Sequence, residues 1–261
     1  MKIRLFLIAT LVLFSGSAVA QTPTAVEREF VGYLDNISTY GSYGGGYDGE
    51  KLSRNNGDLR DKLLKYGKRA DILKFAFPGL KDKMYVTTSK DRRFRIYSWD
   101  LESGGTMHEF DSVFQYEGKS GKIHTWTEGN NDGESVGAFY HQIFQTDIAS
   151  GPIYLGVSTF IGSTSYAGQT IKAFRINGEK LDTDAKVIRT TSGVKSSISF
   201  AYDFFSVVDH PERPVRLVFY NESNKSFRFP VVIEDKRTPQ GRVTSKFITY
   251  RFDGKYFVKV G

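Results

Sequence analysis

A mainly β fold is predicted, an antiparallel β-meander preceded by a short two-helix N-terminal segment, and three features of the sequence predict it. Apolar residues recur at helical spacing only between residues 24 and 77. From Met84 onward they recur at alternate positions, in runs separated by Gly, Asn, Asp and Pro turn signals. No helical period lies between those runs, which argues against doubly wound sheets and TIM barrels, whose parallel strands need long crossovers. A two-sheet sandwich or barrel-like closure is expected, with a propeller-like arrangement as the alternative. The chain has 261 residues, 39% of them hydrophobic, and no Cys. That length buries enough surface to be stable without disulfides.

Residues 1–20 read as a signal peptide. Lys2 and Arg4 precede the apolar run Leu5–Phe14, and Ala18-Val19-Ala20 supplies a small-residue cleavage site before Gln21. The apolar run is too short to span a bilayer, and no later stretch approaches the ~20 apolar residues a span needs. A soluble protein, periplasmic or secreted, is expected.

The helical N-terminal segment covers 21–82. Thr24 and Glu27 have capping-box spacing, and Val26, Phe30, Val31, Leu34 and Ile37 follow on one face. Residues 39–57 are rich in Gly, Tyr, Asn and Ser and predict a loop, because glycine makes regular structure entropically costly. A second helix is expected from Asp58, with Leu59, Leu63, Tyr66, Ala70, Leu73 and Phe77 on one face and Pro78-Gly79 as its stop.

The antiparallel β domain covers 83–261. Candidate strands are 84–89, 93–99, 112–118, 122–127, 137–146, 152–160, 169–176, 184–190, 196–203, 215–220, 226–233, 243–252 and 255–260. Asn177-Gly178 and Asp253-Gly254 predict type I′ hairpins, which need positive φ at both central residues.

Several chemistries are excluded. Without Cys there is no thiol catalysis and no lipid-modified N-terminal Cys. Gly44-Gly45-Gly46 runs into Tyr47-Asp48, so it is no phosphate loop, and no G-x-S-x-G elbow exists. Ser192 and Lys195 match S-x-x-K, but Lys119-Ser120-Gly121 precedes them, the wrong order for penicillin-recognising enzymes. Glu128, Asn130, Asp132 and Gly133 mimic the start of a calcium loop, yet Phe139 stands where a bidentate Glu is required, so a polar turn is expected. No metal-ligand spacing or cofactor motif is present, so neither a metal nor a cofactor is expected.

Two segments carry the candidate site residues. On strand 93–99, Arg93, Arg95, Tyr97 and Trp99 share a face that would stack on sugars or side chains and pair with anions. Around Gly104-Gly105, Asp100, Glu102, His108, Glu109 and Asp111 supply carboxylates beside a histidine, the residue types of acid–base work. Tyr43 and Tyr47, in the Gly/Tyr loop, add a candidate contact surface.

The formal charge of +7 becomes +5 once Lys2 and Arg4 leave with the signal segment, which favours anionic partners. The sequence therefore points to an exported, non-enzymatic binding protein for an envelope or secreted protein or an anionic glycan, with an inhibitor or immunity-type protein as a special case. The alternatives are an envelope-polymer hydrolase with paired carboxylates and a structural envelope component. No nucleic-acid module or transmembrane segment is visible.

Overall fold

The computed structural model describes residues 21–128, 137–236 and 238–260. The signal-peptide reading of 1–20, and most of the polar turn at 128–134, lie outside the described residues.

Helix α1 (Pro23–Tyr40) starts with Thr22 as its cap, whose Oγ1 accepts the Ala25 N–H at 3.2 Å, and with Pro23 in the first turn. The expected Thr24–Glu27 box does not form, because Glu27 turns into the fold and accepts the Gly79 N–H at 2.7 Å. Val26, Phe30, Leu34 and Ile37 form the buried face that their spacing predicted.

Helix α2 (Gly49–Tyr66) differs most from expectation, since it begins inside the anticipated loop. Asp48 caps it, accepting the Lys51 N–H at 3.1 Å. Gly57, Asn55 and Asn56 weaken its helical propensity, but the two asparagines are buried and hydrogen-bonded across the interface. Asn36 donates to Asn55 Oδ1 at 3.0 Å, and Asn56 donates to the Leu101 carbonyl at 3.0 Å. The helix stops at Gly67, where a Cβ would lie 2.6 Å from both the Leu63 carbonyl oxygen and Thr125 Cγ2. The remaining helical pattern becomes the short helix α3 (Ala70–Lys74) and a single 3-10 turn, Pro78–Leu80.

The β region is arranged in three sheets. The first is the meander β1 (Tyr85–Thr88), β2 (Phe94–Asp100), β3 (Phe110–Glu117) and β4 (Ile123–Thr127). The second joins β5 (Phe139–Thr146), β6 (Ile153–Ile161) and β7 (Tyr166–Asn177) to β11 (Ser197–Asp203), with β8 (Lys180–Asp182) paired to β7. The third has the order β10-β9-β15-β14-β13-β12 and contains β9 (Ile188–Thr190), β10 (Gly193–Lys195), β12 (Phe219–Asn221), β13 (Ser226–Ile233), β14 (Arg242–Phe252) and β15 (Phe257–Val260). Among the described residues all strand pairings are antiparallel except β15 with β9.

The mainly β, antiparallel expectation is met; among the described residues the strands divide among three open sheets, with no closed barrel. Alternation along the strands sets the layers. The helices pack on one face of the first sheet, against Tyr97, Trp99 and Val113. Its other face, with Phe94, Ile96, Phe114 and Tyr116, meets Tyr140, Tyr154 and Phe174 of the second sheet. The opposite face of the second sheet, including Leu155, Val157 and Ile171, packs on Phe227, Phe229, Tyr250 and Phe257 of the third.

Both predicted hairpins form with different turns. Asn177 pairs with Lys180, so Gly178 and Glu179 are the central residues and only Gly178 has positive φ, at 63°, as in a II′ turn. Phe252 pairs with Phe257, and the longer loop between them is held by Asp253, whose carboxylate accepts the Lys255 and Tyr256 N–H groups at 2.8 and 2.7 Å. Among the described residues no helix is long and apolar enough to cross a membrane.

Candidate functional site

A cleft of about 910 Å³ opens where the turn after the helices, the ends of β2 and β3, and β5 meet residues 213–216. A smaller cleft of about 420 Å³ lies beside it, against Leu34, Asp35 and Ser38 of α1. Asp100, Asp82 and Lys83 border both.

Asp100, at the end of β2, accepts a hydrogen bond from His108 Nδ1 and another from the Glu102 N–H at 2.8 Å. The intervening segment folds back tightly at Gly104, where a Cβ would fall 2.0 Å from the Met107 carbonyl oxygen. Tyr43 stacks on His108 with centroids 4.9 Å apart, and its hydroxyl donates to the Gly105 carbonyl. Burial, with Asp100 and Glu102 nearby, raises the Tyr43 phenol above its ordinary value. Burial first and the Asp100 charge second likewise raise the Glu102 carboxyl. Two groups that the sequence leaves far apart, the loop tyrosine and the carboxylates beside His108, thus meet at one place.

From there a run of rings continues along the cleft wall. Phe110 lies 6.1 Å from His108 and 4.7 Å from Phe139, and Tyr85 stacks on Phe139 at 4.2 Å. His141 follows, placed by a β-bulge: Tyr140 pairs with Ser158 and Gln142 with Val157, which leaves His141 as the extra residue. Its Nε2 is bonded to Thr159 Oγ1 at 2.9 Å, while Nδ1 is buried without a protein partner.

Burial, and secondarily the Arg216 charge, pulls the His141 imidazole down to about 3. An unfolded histidine takes up a proton near pH 6.5, so folding loses stability as the pH falls from there toward 3, by up to about 1.4 kcal/mol per pH unit. His141→Gln is expected to remove that share, measured as the difference between urea midpoints at pH 7 and pH 4.5. An unchanged difference would show that the ring is solvated.

The rim is mainly cationic. Lys81, Lys83, Arg213 and Arg216 face Asp82 and Asp100. Lys83 is paired with Asp35, and Arg213 donates to the Val208, His210 and Glu212 carbonyls while lying 5.3 Å from the Phe204 ring. Among the described residues Lys81 and Arg216 form no ion pair.

Of the remaining sequence candidates, Trp99 contributes a buried ring to the lining of the larger cleft, and the others lie elsewhere. Arg95, Tyr97 and Trp99 do not form an exposed face: they are 3%, 0% and 1% exposed, under the helices. Strand β2 has neighbours on both sides and layers on both faces, so its Arg–aromatic alternation faces the helical layer instead of solvent. The Arg95 guanidinium is satisfied there by Thr88 Oγ1 at 2.8 Å, the Ile72 carbonyl at 3.0 Å and Tyr97 Oη at 3.3 Å. Arg93 donates to the Glu117 and Gly118 carbonyls. Asp111 is buried against Arg60 of α2, and Glu109 accepts from Ser103 at 2.5 Å, so neither joins Asp100 and Glu102. Tyr47 is 66% exposed and lines neither cleft.

Sequence reasoning missed Tyr85, Lys81, Arg216 and His141. Of these only the Lys81-Asp82-Lys83 cluster left a local signal. Among the described residues no group of His, Asp and Glu is arranged to hold a metal ion. The arrangement offers stacking surfaces and cations, the elements of recognition. Comparison of the chain with protein-family models, with curated proteins and with solved structures gave no match, so the functional reading rests on this geometry.

Proposed function

We propose that this chain is an exported, non-enzymatic binding protein that recognises an anionic envelope glycan in the larger cleft. The observation that carries the reading is the pairing of a cationic rim, Lys81 and Arg216 above all, with a wall of stacked rings in a concavity of about 910 Å³. Concave sites with a few converging polar groups suit a small ligand or a chain end, whereas protein partners take broader, flatter surfaces. Tyr85 and His108 would stack on sugar rings, and the cations would meet carboxylates.

Calorimetric titration with trigalacturonate, against the neutral galactose trimer, tests this. The acidic trimer is expected to bind, more weakly at high salt because the rim charges are screened. Arg216→Ala should weaken it about tenfold, or roughly 1.4 kcal/mol. Equal affinity for the two trimers, or no binding of either, would contradict the proposal. A second reading, a hydrolase, draws support from Asp100 and Glu102 at the smaller cleft, since a raised carboxyl beside a second carboxylate suits acid catalysis. It requires reducing ends to appear during the titration and to vanish in Glu102→Gln.

A further inference from the structure

The third sheet packs one face on the second sheet and turns the other away from it. Strand register assigns side chains to that outer face. Phe227, Phe229, Tyr250 and Phe257 point inward, so Arg228, paired with Phe219, lies outward, as do Phe247, opposite Pro230, and Arg251, opposite Val258. Val258 in turn pairs with Arg189 on β9.

The three arginines are exposed, and among the described residues none of them forms an ion pair. Asp253 feels the charge of Arg189, but its carboxylate is occupied by the Lys255 and Tyr256 N–H groups. Two of the guanidinium groups are held on aromatic rings. Arg228 lies 5.4 Å from the Phe219 ring and 4.6 Å from the Phe247 ring, each of these phenylalanines being 40% exposed, and Arg189 lies 4.3 Å from the Tyr256 ring.

We propose that this outer face is a second binding surface, independent of the cleft, that docks a linear acidic polysaccharide along its length. A guanidinium stacked on a ring keeps its N–H edges free for bidentate pairing with carboxylate or sulfate, while the exposed parts of the rings suit the apolar faces of sugars. Strand spacing separates Arg251 from Arg189 by about 9–10 Å, and the diagonal across β13 and β14 separates Arg228 from Arg251 by about 7–8 Å. Cations about 7–10 Å apart across one sheet face fit anions repeated along a polymer. A lipid surface fits less well, because the phenylalanines lie across Arg228 in place of projecting as an apolar wedge.

Immobilised dextran sulfate, with uncharged dextran as control, tests the proposal on the full chain. The wild type should be retained by the sulfated polymer only. Replacing Arg189, Arg228 and Arg251 together by Ala should weaken retention at least tenfold with an unchanged circular dichroism spectrum. Arg228→Lys, which keeps the charge but loses the stacked bidentate edge, should weaken it several-fold. The same triple variant should still bind trigalacturonate in the cleft, none of its three positions lining that cleft, so failure here and failure of the cleft reading are distinguishable. Wild-type retention of the triple variant would overturn the proposal. So would equal retention on uncharged dextran, or capture by phosphatidylglycerol vesicles with none by dextran sulfate.

Discussion

Trp99→Ala is expected to cost about 3–5 kcal/mol of stability, the range for emptying a buried aromatic site. Trp99 is 1% exposed between the helices and the first sheet, in the same cluster as Leu101, Val113 and Ile37. Its Nε1–H donates to Asn56 Oδ1 at 2.9 Å, and Asn56 in turn donates to the Leu101 and Leu52 carbonyls. The indole therefore fills space and also terminates the polar network that fastens α2 to β2. Trp99→Phe separates the two roles, since it retains most of the volume but leaves the Asn56 oxygen unpaired, at about 1–3 kcal/mol. Urea denaturation distinguishes the variants. If Trp99→Ala unfolded at the wild-type midpoint, the strand face would be open to solvent and a binding role for it would return.

Arg60→Ala is expected to cost about 3–5 kcal/mol, because it strands a buried carboxylate. Asp111 is 0% exposed, and burial already raises its carboxyl above the ordinary range despite the opposing Arg60 charge. Removing the guanidinium should raise it further, so that Asp111 folds protonated. Asp111→Asn should be milder. The Arg60 side chain is 17% exposed, so the stranded cation retains some water, and the amide can still accept the Ser112 N–H now bonded at 2.7 Å. Equal losses in the two variants would show that the pair is solvated from both sides.

The strands were legible because alternation is a local signal, and β2, β6 and β13 fall close to the runs of apolar residues that predicted them. What covers a strand is not local. Arg95-Ile96-Tyr97-Ser98-Trp99 alternates identically whether its polar–aromatic face meets water or helices, and the carbonyl that satisfies Arg95 belongs to Ile72 on α3. Helix α2 was obscured because its glycine and asparagines are poor helix formers by propensity, and their compensation comes from Asn36 and Leu101, outside the helix.

The candidate site divides along the same line. Asp100, Glu102 and His108 were found together because a Gly-Gly turn joins them in sequence. Arg216 and Lys81 reach the same cleft from segments far apart in the chain, and His141 reaches it through a bulge that no periodicity reveals. A one-residue slip in pairing changes which face a side chain occupies.

The histidines report on the central claim, recognition in the cleft, most directly. The chain has 4 His; His108 and His141 line the cleft, whereas His124 is bonded to Glu179 on the far edge of the first sheet. Imidazole resonances followed during titration with trigalacturonate are predicted to shift at His108 and His141 and to stay fixed at His124. Binding of the trimer with His108 and His141 unmoved would contradict the cleft as the site.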